Sequence, residues 1–105
     1  MPQFTVYKNK NPASRGAYPF LLDIQSDLLG DLQTRVVVPL TKITTLSKKP
    51  VRNLMPTLTI DGDNFLLLIP QLAGVNKADL GAEITNASAH RDQIIAAMDF
   101  LITGI

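Results

Sequence analysis

The chain has 105 residues, 46% of them hydrophobic and 18% charged, with a formal net charge of +1 and no cysteine. A single domain over residues 1–105 with a modest core is expected; near-neutral charge argues against broad attraction to nucleic acid or an anionic membrane. The lack of cysteine excludes disulfides, thiolate metal sites and cysteine nucleophiles. Met1-Pro2-Gln3-Phe4 lacks the basic-then-apolar pattern of a secretory signal, and the longest apolar run, Phe65 to Ile69, is too short to span a membrane, so a cytoplasmic protein is expected.

Phe4-Thr5-Val6-Tyr7 alternates apolar and polar residues and predicts a first strand with one buried face. Lys8 to Ala17 is rich in turn formers and predicts a long, solvated, mobile hairpin loop carrying Lys8, Lys10 and Arg15. Tyr18 to Ile24 predicts a second strand, with Pro19 at its start, and Gln25 to Gly30 a turn that places one or both of Leu28 and Leu29 near the surface. Arg35 to Leu40 is strongly strand-forming, and Pro39 is expected to end it, bulge it or put it at a sheet edge. Thr41 to Arg52, with Lys48-Lys49-Pro50, reads as a polar surface loop. Thr57-Leu58-Thr59-Ile60, Asp61-Gly62-Asp63-Asn64 and Phe65 to Ile69 predict a hairpin, because glycine tolerates the positive φ its turn needs. Leu72 to Val75 reads as irregular, and Asn76 to Ile84 as one further strand interrupted by Gly81.

From His90 to the end, Ile94, Met98, Leu101, Ile102 and Ile105 fall on one stripe of an α-helix, with Asp92, Asp99 and Thr103 opposite. Ser88 is the expected N-cap. The apolar finish Thr103-Gly104-Ile105 is expected to pack against protein, either its own fold or a partner. Five or more short strands followed by one helix argue for an α+β domain, an antiparallel sheet or small barrel with a helix packed on it.

Reactive groups are sparse. His90 is the only histidine, and Arg91 and Asp92 beside it point in other directions on a helix, so an exposed position near the helix start is expected. Asp61, Asp63 and Asn64 lack the remaining ligand positions of a calcium loop. There is no glycine-rich phosphate loop and no Gly-x-Ser-x-Gly elbow. Asp23, Asp27 and Asp31 have no evident partner in the sequence. No cofactor, no metal and no catalysis are expected.

Gln3-Phe4-Thr5-Val6-Tyr7, Asp23-Ile24-Gln25-Ser26-Asp27-Leu28-Leu29, Val38-Pro39-Leu40, Leu54 to Ile60, His90-Arg91 and the final Gly104-Ile105 together resemble the CcdB family nearly end to end. The resemblance implies a β-sheet or small SH3-like barrel of the CcdB/MazF/Kid type with a long C-terminal helix, assembled as a homodimer. It implies a non-enzymatic toxin that enters the A subunit of DNA gyrase and traps the cleaved gyrase–DNA complex. It further implies a CcdA-like antitoxin whose disordered arm releases gyrase and which, with the toxin, represses their operon, so that DNA is reached only through the antitoxin.

Carried over residue by residue, the resemblance puts gyrase contacts at Leu28, Leu29, Asp99, Ile102, Thr103, Gly104 and Ile105. Antitoxin contacts fall at Lys8, Asn9, Lys10, Asn11, Arg15, Asp99 and Ile102. Two positions depart from the family pattern: Thr103 stands where the best-known members have Trp, and Asp99 where they have Asn. Thr cannot stack on an arginine as an indole does. Two alternatives stay open: an endoribonuclease on the same fold, for which Arg35, Arg52 and Arg91 show no acid partner in the sequence, and an inactive module that only binds antitoxin.

Overall fold

The computed structural model describes residues 2–29, 32–44 and 55–104. Its strands are β1 (Thr5–Asn9), β2 (Phe20–Asp23), β3 (Thr34–Lys42), β4 (Thr57–Ile60), β5 (Asp63–Leu67), β6 (Ala73–Asn76) and β7 (Leu80–Asn86), followed by helix α1 (Arg91–Thr103). They form one antiparallel sheet in the order β4-β5-β3-β2-β1-β7, with β6 also pairing β3, curled into a half-barrel. The α+β class and the strand-then-helix order are as expected from the sequence. Lys48-Lys49-Pro50 of the expected surface loop lie outside the described residues, as do Asp31, Arg52 and Ile105.

β3 runs straight through Pro39 instead of ending there. Its register explains why: on one side Thr34 to Val37 pair with β6, and Leu40 to Lys42 pair with β5. Pro39 falls in the gap between those two partners, where a missing N–H leaves no ladder bond unmade. Its carbonyl accepts the Leu68 N–H at 3.0 Å on that same side. Ala73 to Val75, within the stretch expected to be irregular, are therefore in a strand with Asn76 because β3 offers them an edge, and Lys77–Asp79 forms a short 3-10 turn before β7. The hairpin of β4 and β5 is as predicted. Ile60 pairs with Asp63, and both turn residues, Asp61 (φ 51°) and Gly62 (φ 83°), have positive φ, the geometry of a type I′ turn.

The helix-facing side of the sheet carries Val6, Leu22, Ile24, Val38, Leu40, Phe65 and Leu67, all buried, and meets Ile94 and Ala97 of α1. Phe20 and Phe65 pack edge to face with ring centroids 5.1 Å apart. Alternation along the strands sends Tyr7, Leu21, Asp23, Arg35 and Val37 to the opposite face, where they too are buried. Helix α1 differs from expectation at its start. Its N-cap is His90, half-buried and without a side-chain bond, and Ser88 opens a preceding 3-10 turn; the Asn86 side chain accepts the Ser88 N–H at 2.8 Å. At the other end the stripe leaves the core: Ile94 is buried and Met98 half-buried, whereas Leu101 is 37% and Ile102 78% exposed.

Candidate functional site

Two regions reach the surface with the side chains that the sequence singles out. The first is apolar. After β2 the chain makes a 3-10 turn, Asp27–Leu29, from which Leu28 stands 94% exposed. The turn is fastened at its base: Asp27 Oδ1 accepts the Gln3 N–H at 2.7 Å, Gln3 Nε2 donates to the Ile24 carbonyl at 3.0 Å, and Ser26 Oγ accepts the Leu28 N–H at 3.2 Å. Beneath it Arg35 and Asp23 form a fully buried ion pair, Nη2 to Oδ2 2.7 Å, and Arg35 Nη2 also donates to the Gln25 carbonyl at 3.2 Å. The sequence expectation that Asp23 and Arg35 lack partners is thus corrected. Strand register brings them together diagonally across one face of β2 and β3.

Asp99, Ile102, Thr103 and Gly104 lie toward the far end of α1, from about 12 Å (Asp99) to about 18 Å (Thr103) along its axis from Arg91 at 1.5 Å per residue. Thr103 Oγ1 donates to the Asp99 carbonyl at 2.7 Å, and Gly104 ends the helix in the left-handed region (φ 72°), its N–H bonded to the Phe100 carbonyl at 2.9 Å. Asp99 and Ile102 project into solvent, while the turn carrying Leu28 is tied through Gln3 to the end of the sheet where the helix begins. Leu32, 49% exposed, adds a further apolar side chain that sequence reading did not single out.

The second region is cationic. Lys8 in β1, and Lys10 and Arg15 on the segment joining β1 to β2, are exposed. That segment is not the open loop expected from its composition. Asn11 O accepts the N–H groups of Ser14 (3.2 Å) and Arg15 (2.9 Å), and Ser14 O accepts that of Tyr18 (2.9 Å). Asn9 is buried, its side chain bonded within the loop. Asn11 uses its side-chain oxygen to accept the Ala13 N–H at 2.9 Å.

Chemistry elsewhere is limited. On the face opposite the helix the Tyr7 hydroxyl is buried with no hydrogen-bond partner among the described residues. Burial pushes its pKa above the ordinary phenol value, the Thr5 hydroxyl opposes the shift, and the negative charges of Glu83 and Asp23 reinforce it. Among the described residues no group of three or more His, Asp or Glu side chains could hold a metal ion, and no helix is long and apolar enough to cross a membrane.

The fold is similar to that of a solved structure described as an endoribonuclease in complex with its cognate antitoxin from Mycobacterial species. The TM-score is 0.73 at 15% sequence identity, and the match covers 97% of this chain and 95% of that one. Identity this low speaks for the fold alone. The family model described as CcdB protein matches residues 3–104, nearly the whole chain. This chain belongs to the CcdB family, toxins of toxin–antitoxin systems.

Proposed function

We propose that this protein is the toxin of a type II toxin–antitoxin pair that, as a homodimer in the cytoplasm, binds the A subunit of DNA gyrase and traps the cleaved gyrase–DNA complex without catalysing a reaction itself. The observation that carries the reading is the exposure of two large apolar side chains, Leu28 (94%) and Ile102 (78%), at positions that the family resemblance assigns to gyrase. Apolar groups held in water on ordered elements favour burial against a partner. A CcdA-like antitoxin would release gyrase by covering Asp99, Ile102 and the cationic loop, and the pair would repress its own operon, with the antitoxin holding the DNA.

The likeness in fold to an endoribonuclease brings a second reading, cleavage of RNA. Against it stands Arg35, whose side chain and that of its partner Asp23 are both fully buried, out of reach of a scissile phosphate. Induced expression in a bacterial host tests the proposal. Growth arrest with broken DNA and intact RNA supports gyrase poisoning, cleaved RNA supports the ribonuclease, and undisturbed growth with soluble protein supports an inactive antitoxin-binding module.

A further inference from the structure

We infer that Phe4 is a positioning residue: held in a left-handed backbone conformation, it fastens the turn that presents Leu28 to the start of α1, so that the two respond as one unit. The inference deepens the gyrase reading above and rests on it only for what the turn contacts.

Phe4 immediately precedes β1 and has φ 67°. Among the described residues the others with positive φ are Asp61, Gly62 and Gly104, types that suit a hairpin turn or a helix end, whereas for a bulky side chain this conformation costs free energy. The hydrogen bonds show what that cost supports. A residue in an extended antiparallel strand turns its N–H and its C=O toward the same neighbour. Phe4 turns them to opposite neighbours: its N–H donates to the Asp23 carbonyl at 2.6 Å, at the end of β2, and its carbonyl accepts the Ala87 N–H at 2.7 Å, just past β7. An extended Phe4 would keep one of these bonds and lose the other. Its side chain, 3% exposed, lies in the same core cluster as Ile24 and Ala87, which holds the residue in place.

Further bonds reach Gln3, the residue before it, from the same two sides. On the turn side, the Gln3 N–H donates to Asp27 Oδ1 at 2.7 Å and Gln3 Nε2 to the Ile24 carbonyl at 3.0 Å. On the helix side, Asn86 Nδ2 donates to the Gln3 carbonyl at 3.4 Å, while Asn86 Oδ1 accepts the Ser88 N–H at 2.8 Å in the 3-10 turn that leads into α1. The Leu28 turn and the helix start are far apart in sequence, and Gln3 and Phe4 bridge them. Packing alone does not account for this arrangement, because a core phenylalanine needs no positive φ. Strain of this kind persists only where the surroundings hold it, and it leaves an extended conformation in reach that lets go of one side. Whatever loosens one side therefore shifts the other, and the coupling runs both ways.

The test is amide hydrogen exchange of the full chain, read by NMR. Asp27→Ala removes an exposed carboxylate on the turn side. It should quicken exchange of the Ala87 N–H, on the helix side, by about twofold or more, the size expected for one net hydrogen bond, while Leu22 and Val38 in the middle of the sheet keep the parent's rates. Asn86→Ala, an exposed change on the helix side, should quicken the Gln3 N–H in the same way. A parental rate at Ala87 in Asp27→Ala, with the Gln3 N–H quickened, overturns the inference. Phe4→Gly and Phe4→Ala both lose the ring, and only glycine is free of strain at φ 67°. Phe4→Gly should therefore unfold at a higher urea concentration than Phe4→Ala, the reverse of their order in a regular strand. The ordinary order overturns the role of strain; if neither variant folds, the exchange rates decide. All of these readouts are on the free protein. A protein that traps gyrase on DNA but exchanges independently at the two sides would sink this inference and leave the toxin reading standing, and linked exchange in a protein that leaves gyrase untouched would do the opposite.

Discussion

Arg35 and Asp23 are joined twice through one oxygen, with Nη2 at 2.7 Å and Nε at 2.9 Å from Asp23 Oδ2, and both side chains are fully buried. The Asp23 carboxylate also accepts the Gln25 N–H at 3.1 Å, and Gln25 Oε1 accepts the Val36 N–H at 3.1 Å. The pair thus forms the floor of the turn that presents Leu28. Arg35→Ala should lower stability by about 3–5 kcal/mol, because it strands a buried carboxylate. Replacing both partners together, as Asp23→Leu with Arg35→Met, should recover most of that loss. Urea unfolding of the three proteins checks it; an Arg35→Ala midpoint equal to the parent's would remove the pair from the architecture.

Tyr7 gives a pH dependence with a definite sign. Its folded-state pKa is raised, chiefly by burial, so the folded protein holds the phenol proton more tightly than the unfolded chain. The stability this contributes is complete below the unfolded pKa of about 10 and is lost as pH rises through the folded value. Tyr7→Phe should show a shallower loss of stability above pH about 10. At neutral pH it should be unchanged or up to about 1 kcal/mol more stable, since the hydroxyl it removes is buried without a partner among the described residues. Thermal unfolding across alkaline pH measures both effects, and a variant as alkali-sensitive as the parent contradicts the assignment.

Leu58 faces the core from β4 at 7% exposure. Leu58→Asp should unfold the protein, because an unpaired carboxylate would replace an apolar side chain in the interior. Circular dichroism at room temperature is sufficient to see it; a cooperative unfolding transition close to the parent's would place the hairpin the other way round.

Gly104 closes the helix at φ 72° with open space around its Cα. Gly104→Ala should cost about 1 kcal/mol through backbone strain alone, with no steric clash. Hydrogen exchange should localise the effect to the last turn of α1. Exchange quickened throughout the sheet would show the helix end to be part of the global fold.

How much of this was legible in the chain follows from how local each signal is. The β4–β5 hairpin could be read because Asp61-Gly62 and its flanking apolar strands are contiguous in sequence. β6 could not: Ala73 and Gly74 are poor strand formers, and their conformation is set by the free edge that β3 offers thirty-odd residues away. Pro39 misled for the same reason, since what spares its missing N–H is the change of partner from β6 to β5. Asp23 and Arg35 meet only through the register of β2 on β3, which periodicity does not specify. Of the candidate site, Leu28 in its turn and the exposed cations were visible from residue type. The burial of Asn9 was hidden, because an asparagine in a turn-rich loop reads as solvent-facing until its three hydrogen bonds are seen. The apolar stripe of α1 was correct at Ile94 and departed from the core at Leu101 and Ile102, where sequence cannot separate a core from a partner.

The central claim is that the exposed end of α1 acts on gyrase. Its most direct test is a gyrase–DNA cleavage assay with the purified protein, its Ile102→Asp variant and a form lacking Gly104-Ile105. Ile102 is exposed, so the substitution should leave thermal unfolding within about 0.5 kcal/mol of the parent. The account predicts double-strand breaks that accumulate with the parent and vanish with both altered proteins while their fold is retained. Breaks unaffected by either change, or none from a well-folded parent, would contradict it.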